Sequence, residues 1–289
     1  MIASPCSSCR ASFFPKLLLF DSGFLWYNTD CVLNRPWLGE LCLYVLLIGG
    51  VLPASGLTAR NRARMILVQV KTVHRKPVFV TGGTGYVGQP LIAELLRRGH
   101  AVWALARRGS ESRVPAGATP VIGDALDAST FAHAIPPEAT VVHLVGTAHP
   151  SPAKASEFRR VDLPSIRATV EAVWQTSAWH LIYVSIAHPA PIMRAYIAVR
   201  KEGEALVRSS GVPATILRPW YVLGPGHRWP IALLPVYAVL RRVPATRDTA
   251  ERLGLVSRQT MVAALVRAVE VPVASGVRVF EVPEIRQVA

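Results

Sequence analysis

Three glycines lie between a short apolar run and a helix-forming stretch, and this arrangement constrains the fold of the 289-residue chain more than any other feature. In such a turn the first glycine permits a sharp exit from a strand and the second lets a phosphate approach the backbone. The third allows the helix to pack closely on the strand. The helix N terminus then offers N–H groups and a positive dipole end to an anion. The sequence therefore predicts a dinucleotide-binding turn that consists of Thr81, Gly82, Gly83, Thr84, Gly85, Tyr86, Val87 and Gly88.

From Pro77 onward, short β-branched runs alternate with helical stretches, which is the pattern of a parallel α/β sheet. The predicted strands are residues 78–81, 101–106, 119–122, 140–145, 180–185, 214–218 and 277–282. The predicted helices include residues 88–98, 165–177 and 193–210. We therefore expect an α/β fold with a doubly wound parallel sheet, the Rossmann fold, over residues 65–289. Within it, a small substrate-side region is expected at residues 219–260, and ligands should bind at the carboxyl ends of the strands.

The end of the second predicted strand bears on the choice of cofactor. A carboxylate at this place holds the ribose hydroxyls of NAD, whereas this chain has Arg107 and Arg108. Two guanidinium groups suit a 2′-phosphate by charge and geometry, so NADP(H) is preferred and NAD(H) is the alternative. A solvated basic turn would also account for the two arginines. After the third strand, Asp124 is placed to accept a hydrogen bond from an adenine amino group, or else to cap the following helix.

These residues resemble the short-chain dehydrogenase/reductase superfamily in its atypical or extended branch. The turn matches Thr-Gly-x-x-Gly-x-x-Gly, and further matches are residues 142–144, 183–185 and 217–219. The chain is similar to the epimerase/dehydratase group, to NmrA-like proteins and to the NADPH-binding accessory subunit of respiratory complex I. The resemblance implies a small-molecule substrate and further cofactor contacts from Val145, Gly146 and Pro219.

The same resemblance points to three catalytic positions. Catalytic members use a Ser, a Tyr and a Lys four residues after the Tyr, and here Ser185 and Tyr196 match the first two. The third position holds Arg200, and Lys201 lies one residue too late to share the helix face of the tyrosine. Arg200 is expected to supply the positive charge and the ribose contact, although a guanidinium is not equivalent to an ammonium. Tyr196 also falls on an apolar helical stripe, so a core aromatic residue is the alternative interpretation.

Two functions from different classes follow. The first is an NADP(H)-dependent oxidoreductase or epimerase that acts on a carbonyl or hydroxyl substrate, with Ser185 orienting the carbonyl and Tyr196 exchanging the proton. The second is a module that senses NADPH or stabilises a partner complex without turnover. The retained Ser and Tyr favour the enzyme, and the missing Lys favours the module.

Further residues are candidates for the pocket. His149 follows the fourth strand and Asp162 precedes a helix, although a surface histidine and a helix-start carboxylate are the simpler interpretations. Trp220 and Tyr221 are expected near the nicotinamide if the resemblance holds. The loop at residues 226–230 combines a cation with two rings at the expected mouth of the pocket.

The first 64 residues differ in composition from the rest of the chain. Residues 41–57 carry no charge and have about the length of a minimal transmembrane helix. The arginines at positions 60, 62 and 64 would leave the following domain in the cytoplasm. Three interpretations stay open: a membrane anchor, a soluble extension, or a natural start at Met65. We expect a cytoplasmic protein, either free or tethered to the inner face of a membrane.

Cysteine usage and charge limit the partners. All four cysteines precede Met65, and Cys6 and Cys9 have no second pair at zinc-site spacing, so no metal site is expected. A domain without cysteine fits a reducing compartment. The net charge of +14 favours anionic partners, namely phosphorylated cofactors, nucleic acid or an acidic membrane, unless it only reflects solvated basic faces. Nucleic acid is not expected, because no basic run is interleaved with aromatic residues. The sequence sets no oligomeric state.

Overall fold

Short apolar runs form the strands of a parallel sheet in this computed structural model, which describes residues 75–226, 231–232 and 234–288. The seven strands of the main sheet are β1 (Val78–Thr81), β2 (Val102–Ala106), β3 (Thr119–Ile122), β4 (Thr140–His143), β5 (His180–Val184), β6 (Ala214–Leu217) and β9 (Val277–Phe280). They lie in the order β3-β2-β1-β4-β5-β6-β9, and every neighbouring pair is parallel. The order reverses between β1 and β4, so a crevice opens at their carboxyl ends.

Helices cover both faces of the main sheet. In chain order they are α1 (Gly88–Arg97), α2 (Ala155–Glu157), α3 (Leu163–Trp174), α4 (Arg194–Ser209), α5 (Leu234–Arg242), α6 (Pro244–Arg252), α7 (Arg258–Glu270) and α8 (Val282–Gln287). A π-helical segment, Phe158–Asp162, joins α2 to α3. Two short strands, β7 (Tyr221–Leu223) and β8 (Leu255–Ser257), pair in parallel as a separate small sheet.

Two apolar clusters form the core, one on each face of the sheet. Successive residues of a strand point to opposite faces, so in β1 Phe79 joins one cluster while Val78 and Val80 join the other. The first cluster holds side chains from α3 and α4, and the second holds side chains from α1 and α7. Because both faces are covered, a central strand such as β1 reads as a continuous apolar run rather than as an alternating one.

The α/β fold class and the doubly wound parallel sheet predicted from the sequence are confirmed. Each of the seven predicted strands is present, and the largest difference at a strand end is two residues, at the ends of β4 and β9. The predicted helices correspond to α1, α3 and α4. The π-helical segment and the β7–β8 pair were not predicted. The predictions for residues 1–64 and for the loop 227–230 lie outside the described residues, and the domain boundary at residue 65 stays a prediction.

Candidate functional site

The glycine turn lies where the strand order reverses, and its backbone is packed too closely for side chains. Gly82 has a φ of +73°, and a Cβ there would lie 2.9 Å from the carbonyl carbon of Leu144. A Cβ on Gly88 would overlap the oxygen of Gly82 and lie 2.8 Å from the carbonyl carbon of Gly83. The first turn of α1 has no side-chain cap, so its N terminus is available to an anion. The turn therefore fits a pyrophosphate group.

Three arginines follow β2 near this turn. Arg107 and Arg108 are exposed. Arg113, at the end of a short 3-10 helix, donates from Nη2 to the backbone oxygen of Thr84 at 2.9 Å. The carbonyl of Arg113 in turn accepts from the side chain of Gln89 at 3.0 Å. Arg113 thus contacts the turn directly, whereas the positive charge of Arg108 acts on the carboxyl of Glu111.

The other predicted cofactor contacts lie at strand ends. Asp124 is exposed, and its carboxylate accepts from the N–H of Leu126 at 3.0 Å, so it orders the turn after β3. The neighbouring Asp127, not Asp124, caps the 3-10 helix that follows. Gly146 has no room for a side chain, because its Cβ would overlap the guanidinium of Arg200. Pro219 is buried after β6, where its oxygen accepts from the N–H of Ala187 at 3.0 Å.

Arg200 is buried in an ion pair. Its Nη2 donates to Asp162 Oδ1 at 2.7 Å, and its Nη1 donates to the oxygen of Val184 at 3.0 Å. The second oxygen of Asp162 accepts from the hydroxyl of Thr147 at 2.6 Å and from its N–H at 3.1 Å. The Arg200 side chain is 6% exposed and that of Asp162 is 0% exposed. The pair therefore joins the loop after β4, the end of β5, the π-helical segment and α4.

Tyr196 is buried beside this ion pair. Its ring centre lies 4.7 Å from that of Phe158 and 5.0 Å from the guanidinium carbon of Arg200. Burial raises the pKa of Tyr196, and the positive charge of Arg200 offsets part of that rise. The phenol is consequently protonated at neutral pH, which is the state of a proton donor rather than of a base.

Ser185 belongs to a second buried network, which centres on Glu204. The Ser185 hydroxyl donates to Glu204 Oε1 at 2.6 Å. Arg218 donates to both oxygens of Glu204, from Nε at 2.8 Å and from Nη2, and its Nη1 reaches Glu281 at 2.7 Å. Burial alone would raise the pKa of Glu204, but the hydrogen bonds from Arg218 and Ser185 lower it. In this arrangement the Ser185 hydroxyl faces a carboxylate, and a substrate carbonyl would have to compete for it.

A buried histidine connects the glycine turn to α3. His143 Nδ1 lies 3.1 Å from the hydroxyl oxygen of Thr81 and 2.9 Å from that of Thr169. Burial lowers its pKa to about 3, and the charge of Arg200 acts in the same direction. His143 is therefore neutral at physiological pH. It holds the end of β1 against the helix layer.

Sequence reasoning missed Arg113, Glu204 and the pairing of Asp162. A run of three arginines within seven residues after β2 was the available signal for Arg113. Glu204 lies four residues after Arg200 on α4, a spacing that places both on one helix face. Asp162 does not act as a helix-start carboxylate, because its side chain makes no cap hydrogen bond to α3. Its pairing with Arg200 is a contact between residues 38 apart, which no local pattern encodes.

The remaining candidates follow the ends of β4 and β6. His149 is exposed and has a left-handed φ of 51°. Trp220 packs against both core clusters, and Tyr221 begins β7. In the described part of the chain, no group of three His, Cys, Asp or Glu residues is arranged to hold a metal ion. None of the helices there combines the length and apolar character needed to cross a bilayer.

Comparison with known proteins agrees with this geometry. Residues 82–229, just over half of the chain, match the family model described as NAD(P)H-binding. The chain is 28% identical over 221 residues to the ceramide reductase of Caulobacter vibrioides. This alignment covers 72% of this chain and 65% of that protein. It is 31% identical over 157 residues to the divinyl chlorophyllide a 8-vinyl-reductase of Oryza sativa subsp. indica. This alignment covers 49% of this chain and 39% of that protein. The chain thus spans less than two thirds of the length of either relative.

A solved structure shows the same fold. The short-chain dehydrogenase/reductase superfamily protein from Agrobacterium tumefaciens with bound NAD superimposes with a TM-score of 0.53 at 19% identity. The alignment covers 71% of this chain and 77% of that one. At this identity the likeness concerns the fold, and the Rossmann architecture is the part that the two chains share.

Proposed function

The chain belongs to the NAD(P)H-binding family within the short-chain dehydrogenase/reductase superfamily, and from this membership we propose that it is an NADPH-dependent reductase of a carbonyl substrate. The observation that carries the proposal is the glycine turn, in which Gly82 and Gly88 leave no room for a Cβ and Thr84 is held by Arg113. The chain is similar in sequence to two proteins named as reductases, and this similarity supports reduction as the direction of the reaction. The proposed cofactor supplies a hydride when it is bound.

The arginines are the proposed basis of the preference for NADPH. Arg107 and Arg108 are exposed and can turn toward a 2′-phosphate, while Arg113 already contacts the turn. A guanidinium binds a phosphate through paired hydrogen bonds, which a ribose hydroxyl of NADH cannot replace. No carboxylate stands at the end of β2, where one would favour NADH.

Tyr196 is the proposed proton donor for the substrate oxygen. A donor must hold its proton at neutral pH and release it as negative charge develops on that oxygen. The raised pKa of Tyr196 meets the first requirement. Arg200, 5.0 Å from the ring, lowers the cost of the phenolate that forms, but it does so from within its ion pair with Asp162. We propose that Arg200 acts by its charge and by positioning Tyr196, and that Ser185 orients the carbonyl only after exchanging its bond to Glu204.

The cofactor preference can be tested by calorimetric titration. The unmutated protein should bind NADPH more tightly than NADH. Replacement of Arg107 and Arg108 by Ala should weaken NADPH binding about tenfold or more, because each lost charged hydrogen bond typically costs ~1.5–3 kcal/mol. NADH binding should change little. Arg208→Ala, an exposed arginine on α4, is the control and should leave both affinities unchanged. Equal affinities in the unmutated protein contradict the preference.

Turnover can be tested by following the loss of NADPH absorbance with a panel of aldehydes and ketones. Tyr196→Phe should abolish turnover while NADPH binding persists, since the phenol serves the chemistry rather than the affinity. Tyr183→Phe is the matched control: Tyr183 is also buried, and its ring lies 5.8 Å from the Arg200 guanidinium carbon. It should retain turnover. Turnover that survives Tyr196→Phe would remove this residue from the proposal.

A second function, an NADPH-binding module without turnover, is favoured by a different observation. Ser185 donates to Glu204, and Arg200 is held by Asp162, so two of the three catalytic positions are occupied by structural bonds. Tight NADPH binding without turnover on any substrate of the panel would favour this module over the reductase.

A further inference from the structure

An open groove lies between the loop that follows β5 and the first turns of α4. Its volume is about 600 Å³, which is within the range of pockets that hold small molecules. The loop contributes residues 188–190, and α4 contributes Arg194, Ile197, Ala198 and Lys201. Because of their spacing along the chain, these four side chains share one face of the helix, and Tyr196 points to another face. We call this cavity the α4 groove.

The charged residues that line the α4 groove are both basic. Arg194 and Lys201 are exposed, and residues 186–201, which form the loop and the first half of α4, contain no Asp or Glu. The rise along a helix places the two basic residues about 10 Å apart, a distance that their long side chains can bridge toward one anion. The N terminus of α4 adds to the positive potential, because Met193 provides no side-chain cap there.

The acidic residues of α4, Glu202 and Glu204, are engaged elsewhere. Glu202 lies 3.8 Å from Arg159 of the π-helical segment, in an exposed ion pair. Glu204 is buried, and it accepts hydrogen bonds from Ser185 and from two nitrogens of Arg218. Both carboxylates are therefore paired with other cations, and the groove keeps its positive charge.

His188 forms the inner wall of the groove. Its side chain is 15% exposed, and its Nε2 lies 3.5 Å from Glu204 Oε1. Burial lowers the pKa of His188, and the charges of Arg218 and Lys201 act in the same direction, against the opposing effect of Glu204. The imidazole is therefore neutral at physiological pH, so the positive charge of the groove comes from Arg194 and Lys201.

The rest of the lining is apolar and consists of Pro189, Ala190, Ile197 and Ala198. Two cations beside an apolar wall suit a ligand that joins an anionic group to an apolar body. A phosphate monoester fits the cations, because a guanidinium binds phosphate through paired hydrogen bonds and a charge near −2 balances both groups.

We propose that the α4 groove binds a small molecule that carries a phosphate monoester on an apolar body. Arg194 and Lys201 hold the phosphate, and the body of the ligand covers Pro189 and Ile197. The site is separate from the glycine turn and lies on a different face of α4 from Tyr196. The proposal therefore does not rest on the proposed reductase activity.

The experiment measures how fast acetic anhydride acylates individual lysines of the full chain, by mass spectrometry of its peptides. The probe is phenyl phosphate, with inorganic phosphate, phenol and sodium chloride compared at the same ionic strength. Lys201 reports on the α4 groove. Lys76 and Lys154 are the internal controls, because both are partly exposed and lie outside the groove. This readout is specific to the site, so phosphate bound at the glycine turn does not affect it.

Phenyl phosphate should slow the acylation of Lys201 and leave the two control lysines unchanged. Inorganic phosphate should protect at higher concentration, because it leaves the apolar wall uncovered, and phenol and chloride should not protect. Arg194→Gln should raise the half-protecting concentration about tenfold or more, through the loss of a charged hydrogen bond. Arg208→Gln removes the same charge from an exposed position of α4 outside the groove and should have little effect.

Three results would overturn the proposal: no protection of Lys201, equal protection of Lys76 and Lys154, or an equal effect of Arg194→Gln and Arg208→Gln. Protection by inorganic phosphate at the same concentration as phenyl phosphate would overturn the ligand class, since the apolar wall would then contribute nothing. Titration of the same samples with NADPH reports separately on the proposed function.

Discussion

A buried guanidinium stands where related enzymes carry a lysine, and its surroundings decide what it can do. Arg200 donates to Asp162 and to the carbonyl of Val184, so its charge is neutralised by a fixed partner rather than by a ligand. A lysine has one nitrogen and could not make both of these bonds in the same geometry. Arg200 therefore stabilises the fold and is also a candidate for catalysis. The two roles can be separated by measuring the free energy of unfolding and the turnover in the same variants.

Asp162→Asn should lower the free energy of unfolding by about 3–5 kcal/mol, because it leaves the buried Arg200 charge without its counterion. The matched control is Glu202→Gln. It removes the 3.8 Å pair with Arg159, which joins the same π-helical segment to the same helix α4 but is exposed. That change should cost about 1 kcal/mol or less. Urea unfolding measures both. Equal losses of unfolding free energy in the two variants would show that burial of the Arg200–Asp162 pair adds nothing to stability.

At the scale of elements, the features that a local sequence pattern encodes could be predicted, and those that depend on contacts between distant residues could not. The strands were predictable because each is a short apolar run bounded by turn residues, and the glycine turn was predictable because its spacing is local. The π-helical segment was not predictable, because no local pattern marks it; its last residue, Asp162, pairs with the distant Arg200. The short β7–β8 pair was missed because three-residue strands carry little periodicity. In the same way, the positions of Ser185 and Tyr196 were predicted, but not their partners.

The junction of β1 and α1 gives a test in which the sign of the effect is informative. Ala is normally favoured over Gly in helices, by about 1 kcal/mol in the interior, and Gly88 is the first residue of α1. Gly88→Ala should nevertheless destabilise the protein, by about 1–3 kcal/mol, since the new Cβ meets the backbone of Gly82 and Gly83. NADPH affinity should fall with it. Ala93→Gly, at an exposed position of α1, is the control and should show the ordinary cost of glycine. A stabilised Gly88→Ala protein with unchanged affinity would contradict the packing role of the turn.

At the scale of the whole molecule, the fold buries several titratable rings. Among the six histidines in the described residues, burial lowers the pKa of His100, His143, His180 and His188. The pKa falls to about 3 for His143 and to about 4 for His180. These two lie on neighbouring strands, β4 and β5, and each is within hydrogen-bonding distance of a threonine hydroxyl. The packed sheet therefore depends on neutral imidazoles.

This dependence predicts a loss of stability in mild acid. Between about pH 6.5 and the lowered pKa values, the unfolded chain binds protons that the native fold does not, so the free energy of unfolding falls as the pH falls. Each pKa unit corresponds to about 1.4 kcal/mol, which is large against a typical total of ~5–15 kcal/mol. His143→Asn should be less stable than the unmutated protein at pH 7.5 but should lose less on acidification to pH 4.5, because it removes one titrating group. His133→Asn, at an exposed position, should keep the full pH dependence. Urea midpoints at the two pH values measure both effects, and an unchanged pH dependence in His143→Asn would mean that acid acts on the fold through other groups.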